Sequence, residues 1–147
     1  MALPPIFKFK NIRVRLSTAD PTLIYGMVSN NGTPSTLDPG IRPRDVSAVI
    51  LTVQISNKTS SPPVTPIPAS QTVNVSAYVY NNASLTFDAA TALTLVRDYP
   101  LLAKNAFDPL SGNLVLAEGD QLWIQAATAN ACDVVVSLLE IANATAS

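Results

Sequence analysis

Alternation of apolar and polar residues is the dominant pattern along this chain, and it predicts strands. In Val46–Ser56, Val49, Leu51, Val53 and Ile55 share one parity while Thr52, Gln54 and Ser56 take the other, with Ile50 as the exception. In Thr72–Tyr80, Val73, Val75, Ala77 and Val79 share a face, and Tyr78 and Tyr80 lie on the other beside Asn74 and Ser76. The stretch Asn113–Ile141 reads as three strands. Leu114 and Leu116 lead into the turn signal Glu118-Gly119-Asp120, where Gly119 accepts positive φ. Leu122, Ile124 and Ala126 then oppose Trp123 and Gln125, and Thr128–Ala131 breaks the pattern. Val134, Val136 and Leu138 share the last face. Because Val134-Val135-Val136 is β-branched and apolar on both faces, it suits a central or interface strand. A helix over Val134–Ile141 competes, but adjacent valines without a cap argue against it.

Three further strands are expected at Phe7–Leu16, Leu23–Ser29 and Leu93–Tyr99, with a short one at Leu85–Phe87 and a turn within Asp88–Leu95. In the first, Phe7–Lys10 puts both lysines on one face, and the apolar parity then passes to Ile12, Val14 and Leu16, so a bulge is expected at Asn11. Asn30–Arg44 and Asn57–Ala69 are proline-rich loops, and Pro100–Gly112 is another connection. About eight principal strands punctuated by turns predict an all-β chain: a single antiparallel β-sandwich, jelly-roll-like, with long Pro-rich loops. The expected organisation is an extended arm over 1–6, carrying Pro4-Pro5, a sandwich over 7–141 and a frayed tail over 142–147.

Composition adds a need for partners. The 147 residues are 48% hydrophobic and 13% charged, against about 25% charged in an average domain. Oligomerisation or docking would bury the excess apolar surface; a Ser/Thr/Asn-rich monomer surface is the alternative. The net charge of −1 creates no global field for nucleic acid. Locally, Lys8, Lys10, Arg13 and Arg15 all precede the first acidic residue, Asp20. They form either a basic edge that docks on an acidic neighbour or a solvated strand face that discourages edge pairing.

Little in the chain points to catalysis. There is no histidine, which excludes imidazole acid/base chemistry and zinc–histidine sites. The lone Cys132 permits no intrachain disulfide and reads as a small buried side chain. Most carboxylates fall in loops, where Asp serves turn geometry. Glu118 and Asp120 are a weak cation signal, because calcium needs about six or more oxygen ligands. No P-loop, dinucleotide fingerprint or nucleophile elbow occurs. Phe7-Lys8-Phe9-Lys10 interleaves base and aromatic for too few residues to bind nucleic acid. Tyr78 and Tyr80 are partner anchors or are covered by a loop; Trp123, between Gln121 and Gln125, is a sugar-stacking platform or a core or interface side chain. No enzyme, metal or cofactor is expected. No apolar run reaches the ~18–20 residues of a membrane span, and MALPPIFKFK has no signal-peptide core.

The order Leu95-Val96-Arg97, Gly112, LVLAEGDQLWIQA and DVVVSLLEI, with AVILTVQISNKTSS upstream, resembles small virion structural proteins of tailed bacteriophages over roughly Val46–Ile141. The first 45 residues, Ser60–Ala69 and Asn81–Ala92 depart from that pattern. The resemblance implies an oligomeric β-sandwich mounted on a particle assembled in the bacterial cytoplasm. Its partners would be further copies of itself and the major capsid protein, as a decoration or cement protein, or neck and tail subunits. A receptor- or carbohydrate-binding β-module, with Tyr78, Tyr80 and Trp123 lining a pocket, is the competing class. The docking candidates are Lys8, Lys10, Arg13 and Arg15, and deleting residues 1–15 is expected to abolish attachment while leaving the sandwich folded.

Overall fold

The structure, a computed structural model, describes residues 6–26, 46–58, 72–81, 87–88, 90–117 and 120–142. Among the described residues there are nine strands, all but β6 from the expected runs: β1 (Ile6–Arg15), β2 (Thr22–Gly26), β3 (Val46–Asn57), β4 (Val73–Asn81), β5 (Leu93–Leu101), β6 (Ala106–Phe107), β7 (Leu114–Leu116), β8 (Asp120–Ala126) and β9 (Cys132–Ala142). They build two antiparallel sheets. Sheet A has the order β1-β9-β3, with β6 and β7 sharing the far side of β3; sheet B has the order β2-β8-β4-β5. The pairings nest: β1 with β9, β2 with β8, β3 with β6 and β7, β4 with β5. That is one long antiparallel ribbon rolled up, closed by the β3–β9 and β4–β8 ladders, and it is a jelly roll.

Inward residues of the two sheets meet in one core, which includes Leu16, Ile24, Ile50, Val53, Ile55, Val75, Leu116, Leu122, Ile124, Val134, Val136 and Leu138. β9 sits at its centre, laddered to β1 on one side and β3 on the other. This fits its valine run, since a strand flanked on both edges needs apolar residues that pack without side-chain freedom.

Four details differ from the sequence expectations. β1 keeps unbroken register with β9 from Ile6 to Arg15, so there is no bulge at Asn11. The bulge lies instead in β3 at Leu51, where two steps on β3 match one on β9. It switches parity in mid-strand: Ala48 and Ile50 face the core before it, Val53 and Ile55 after it, and Val49 and Leu51 are only half-buried. A ninth strand, β6, is two residues long and lay below any periodicity. β1 begins at Ile6 and β9 ends at Ala142, and these two residues pair, so the sandwich overlaps the expected arm and tail by one residue each. The arm before Ile6, the tail after Ala142, Leu85, and most of both proline-rich loops lie outside the described residues.

Candidate functional site

The outer face of sheet A divides into an apolar half and a polar half. Cross-strand register aligns Phe9 with Leu139, Leu139 with Val49, and Val49 with Val115. This row crosses β1, β9, β3 and β7 on the side away from the core. Phe9 is 76% exposed, Phe7 60% and Val115 66%. The neighbouring register adds Phe7 opposite Ile141. Further along, the face turns polar. Ser137 Oγ donates to Asn11 Oδ1 at 2.7 Å, Arg15 Nε pairs with Asp133 at 3.1 Å, and Lys58 Nζ lies 3.8 Å from the same carboxylate. Arg13 is exposed and forms no ion pair among the described residues.

Lys10 takes a different direction. Unbroken register puts Lys8 and Lys10 on the same side as Ile12, Val14 and Leu16, facing sheet B. The Lys10 ammonium lies 3.0 Å from Glu140 Oε1, and the Tyr25 hydroxyl of sheet B donates to the same oxygen at 2.9 Å. Glu140 is buried, and its Oε2 has no hydrogen-bond partner. The lysines and arginines of β1 therefore split: Arg13 and Arg15 face outward, while Lys10 ties the sheets together. In the sequence the apolar Phe7 and Phe9 mimic a core face, so alternation by itself turns the lysines outward.

The three aromatic candidates lie together on the outer face of sheet B. Phe87, from the β4–β5 connection, sits over them, its ring centroid 5.0 Å from Tyr78, 6.1 Å from Tyr80 and 5.3 Å from Trp123. Trp123 Nε1 donates to Gln121 Oε1 at 2.9 Å, and the Tyr78 hydroxyl reaches Gln125 Oε1 at 3.5 Å. Only 5% of Trp123 and of Tyr80 is exposed. The cluster is a second, smaller core that pins the connection to the sheet, and a sugar-stacking platform would need these rings open to solvent. Phe87 was the missed member: the sequence placed it at the end of an expected short strand, Leu85–Phe87, whereas in the structure it lies outside any strand and serves as a cover.

No catalytic constellation appears among the described residues. An open groove of about 410 Å³, where β3 runs free between β7 and β6, is lined by Thr52, Val53, Gln54, Ala106, Phe107 and Asp108. Its one carboxylate, Asp108, accepts a hydrogen bond from the Leu110 amide at 2.8 Å and so serves the local turn. Asp120 serves its turn: its Oδ2 accepts from the Ala117 amide at 2.9 Å, and its own amide donates to the Ala117 carbonyl. Glu118 lies outside the described residues, and among those described no three metal-ligating side chains cluster. Among the described residues no helix is long and apolar enough to cross a membrane. Cys132 is fully buried. Burial, reinforced by Asp133 and opposed by Lys58, pushes its thiol from 9.0 to about 11.

No family model and no curated protein matches this sequence. The likeness to solved structures is weak. A protein of Bacillus endospore appendages, a family of disulfide-linked pili, superposes with a TM-score of 0.46 and 12% identity, over 96% of this chain and 89% of that one. A chain of the cyanophage Pam1 capsid asymmetric unit gives 0.36 and 14%, covering 98% of this chain and 93% of that one. For infectious bursal disease virus, Gx strain, the values are 0.37 and 10%, covering 99% of this chain and 39% of that one. Identities this low carry no functional residue across, and the wrapped β-fold hosts many unrelated functions.

Proposed function

We propose that this chain is a non-enzymatic structural component of a virus particle, docking on neighbouring subunits as a capsid decoration protein. The observation that carries the docking role is the apolar row Phe9–Leu139–Val49–Val115, open to solvent on sheet A and flanked by Phe7. Two exposed phenylalanines on one strand form a contiguous patch of the kind that marks an interaction site on a soluble protein. Sequence resemblance to small tailed-phage virion proteins over Val46–Ile141 supports the particle as its location. Sheet A supplies a rigid platform, with side chains held at fixed spacing by the β1, β9, β3 and β7 ladders. Arg13 and Arg15 at the polar end of the same face would meet acidic groups of the shell subunit and orient the contact, while the apolar half supplies most of the buried area.

Gold-labelled antibody against this protein, imaged on particles purified from the source that encodes it, tests the reading. Label spread over the head is the expected result. Label confined to the neck or tail moves the chain to those subunits, and unlabelled particles overturn the proposal.

A further inference from the structure

β1 is the one long, uninterrupted edge strand among the described residues. β5, at the edge of sheet B, is broken by two bulges, by positive φ at Asp98 and by Pro100. β2 has five residues and a bulge, and the far side of β3 is taken by β6 and β7. β1 instead runs ten residues in one register, with no proline and no bulge, and among the described residues no strand pairs with its outer side. Such an edge is a template for another strand unless something blocks it. Two of its four cations are drawn away from the edge: Lys10 turns inward onto Glu140, and Arg15 pairs with Asp133.

We infer that this edge pairs with the β1 edge of a second copy, antiparallel, about a two-fold axis at Asn11. Opposed residues of an antiparallel pair point to the same face, so a symmetric pairing must centre on a residue rather than between two. Charge and paired length then select the register. Centring on Phe9 sets Lys8 against Lys10, centring on Lys10 sets that lysine against its own copy, and centring on Arg13 does the same for arginine. Centring on Ile12 opposes no like charges, but it places Phe7 opposite Ser17, beyond the end of β1, and pairs fewer residues of the strand. Centring on Asn11 opposes no like charges: Lys8 faces Val14, Lys10 faces Ile12, and the exposed Phe7 and Phe9 face Arg15 and Arg13. Arginine over phenylalanine is a favourable cation–π pair, and it gives Arg13 a partner. The two-fold axis stands perpendicular to the sheet, so both apolar rows emerge on one side of a continuous double-width sheet. This pairing rests on the docking role proposed above and makes the docking unit a dimer.

Asn11→Cys tests it. Residues on the axis have Cα atoms about 4.5–5.5 Å apart, within disulfide range, and the buried Cys132 does not compete. Mild oxidation should convert most of the Asn11→Cys chain to covalent dimer, while Ser17→Cys and Val115→Cys remain uncrosslinked. Phe9→Cys mixed with Arg13→Cys should crosslink, and neither should alone. An Asn11→Cys protein that stays monomeric on oxidation, or a mixture no more crosslinked than its components, overturns the pairing. Labelled heads without crosslinking would leave the particle role standing and remove the pairing; crosslinking with unlabelled particles would do the reverse.

Discussion

Lys10 belongs to a strand that reads as basic and solvent-facing, yet its ammonium lies 3.0 Å from a carboxylate buried between the sheets. Removing one partner of a buried pair leaves a charge uncompensated, which costs about 3–5 kcal/mol. Lys10→Met should fall near the lower end, because Lys8 stands directly opposite Glu140 in register. Tyr25→Phe removes one hydrogen bond from a carboxylate whose other oxygen is already unpartnered, and should cost about 1–3 kcal/mol. Urea melts of the two variants check the order. Cys132 supplies a pH dependence. Its folded pKa of about 11 lies above the unfolded 9.0, so between them the folded state holds a proton that the unfolded state has lost. The stability this contributes is complete below pH 9 and falls away as the pH rises toward 11. Cys132→Ala should flatten that limb of the stability curve, and iodoacetamide should label native Cys132 only as fast as the chain opens. Burial of Cys132 was legible from its apolar surroundings in the sequence. The inward turn of Lys10 was not, because its partners are Glu140 and Tyr25, remote in the chain and brought close only by the β1–β9 ladder and sheet stacking.

β1 behaves as part of the sandwich rather than as a detachable arm. Its ten-residue ladder to β9 and the packing of Ile12 and Val14 against the core mean that deleting residues 1–15 should abolish cooperative thermal unfolding. The ladder argues against the expectation that such a truncation stays folded, so docking is better tested by point substitutions. The β4–β5 connection offers a contrasting case. Phe87→Ala should cost about 1–3 kcal/mol, less than the 3–5 of a fully buried phenylalanine, because Phe87 is half-buried. Trp123 fluorescence should shift to the red as its cover is lost. Strand existence was read correctly for eight of the nine elements, because alternation of apolar residues records burial directly. The Leu51 bulge defeated the parity of β3, since a run as apolar as Val49-Ile50-Leu51 offers core residues to either face. β6 is too short for any period, and stacking of Phe107 on Tyr99 at 3.8 Å helps to hold it in place.

At the scale of the whole molecule, the sparse charge and the open apolar row on sheet A lead to one prediction about how the chain associates. Contact through Phe7, Phe9 and Val115 should survive 1 M salt, where the Debye length falls to about 3 Å. Contact through the arginines alone should be lost there. Sedimentation of the chain with its particles at low and high salt separates the two, and Phe7→Ser with Phe9→Ser should release the chain at both while leaving its melting temperature within about 2 °C, as expected for exposed positions. The sequence by itself determined the all-β class, most strand positions, the inward faces of β4, β8 and β9, and the lack of histidine chemistry. These are local properties, written in alternation and composition. Only the tertiary structure decided which polar residues face inward, where the bulges fall, that Phe87 closes over Tyr78, Tyr80 and Trp123, and that four residues on four strands line up across sheet A. Each depends on register between segments far apart in the chain, and a single-residue shift in register reverses every face.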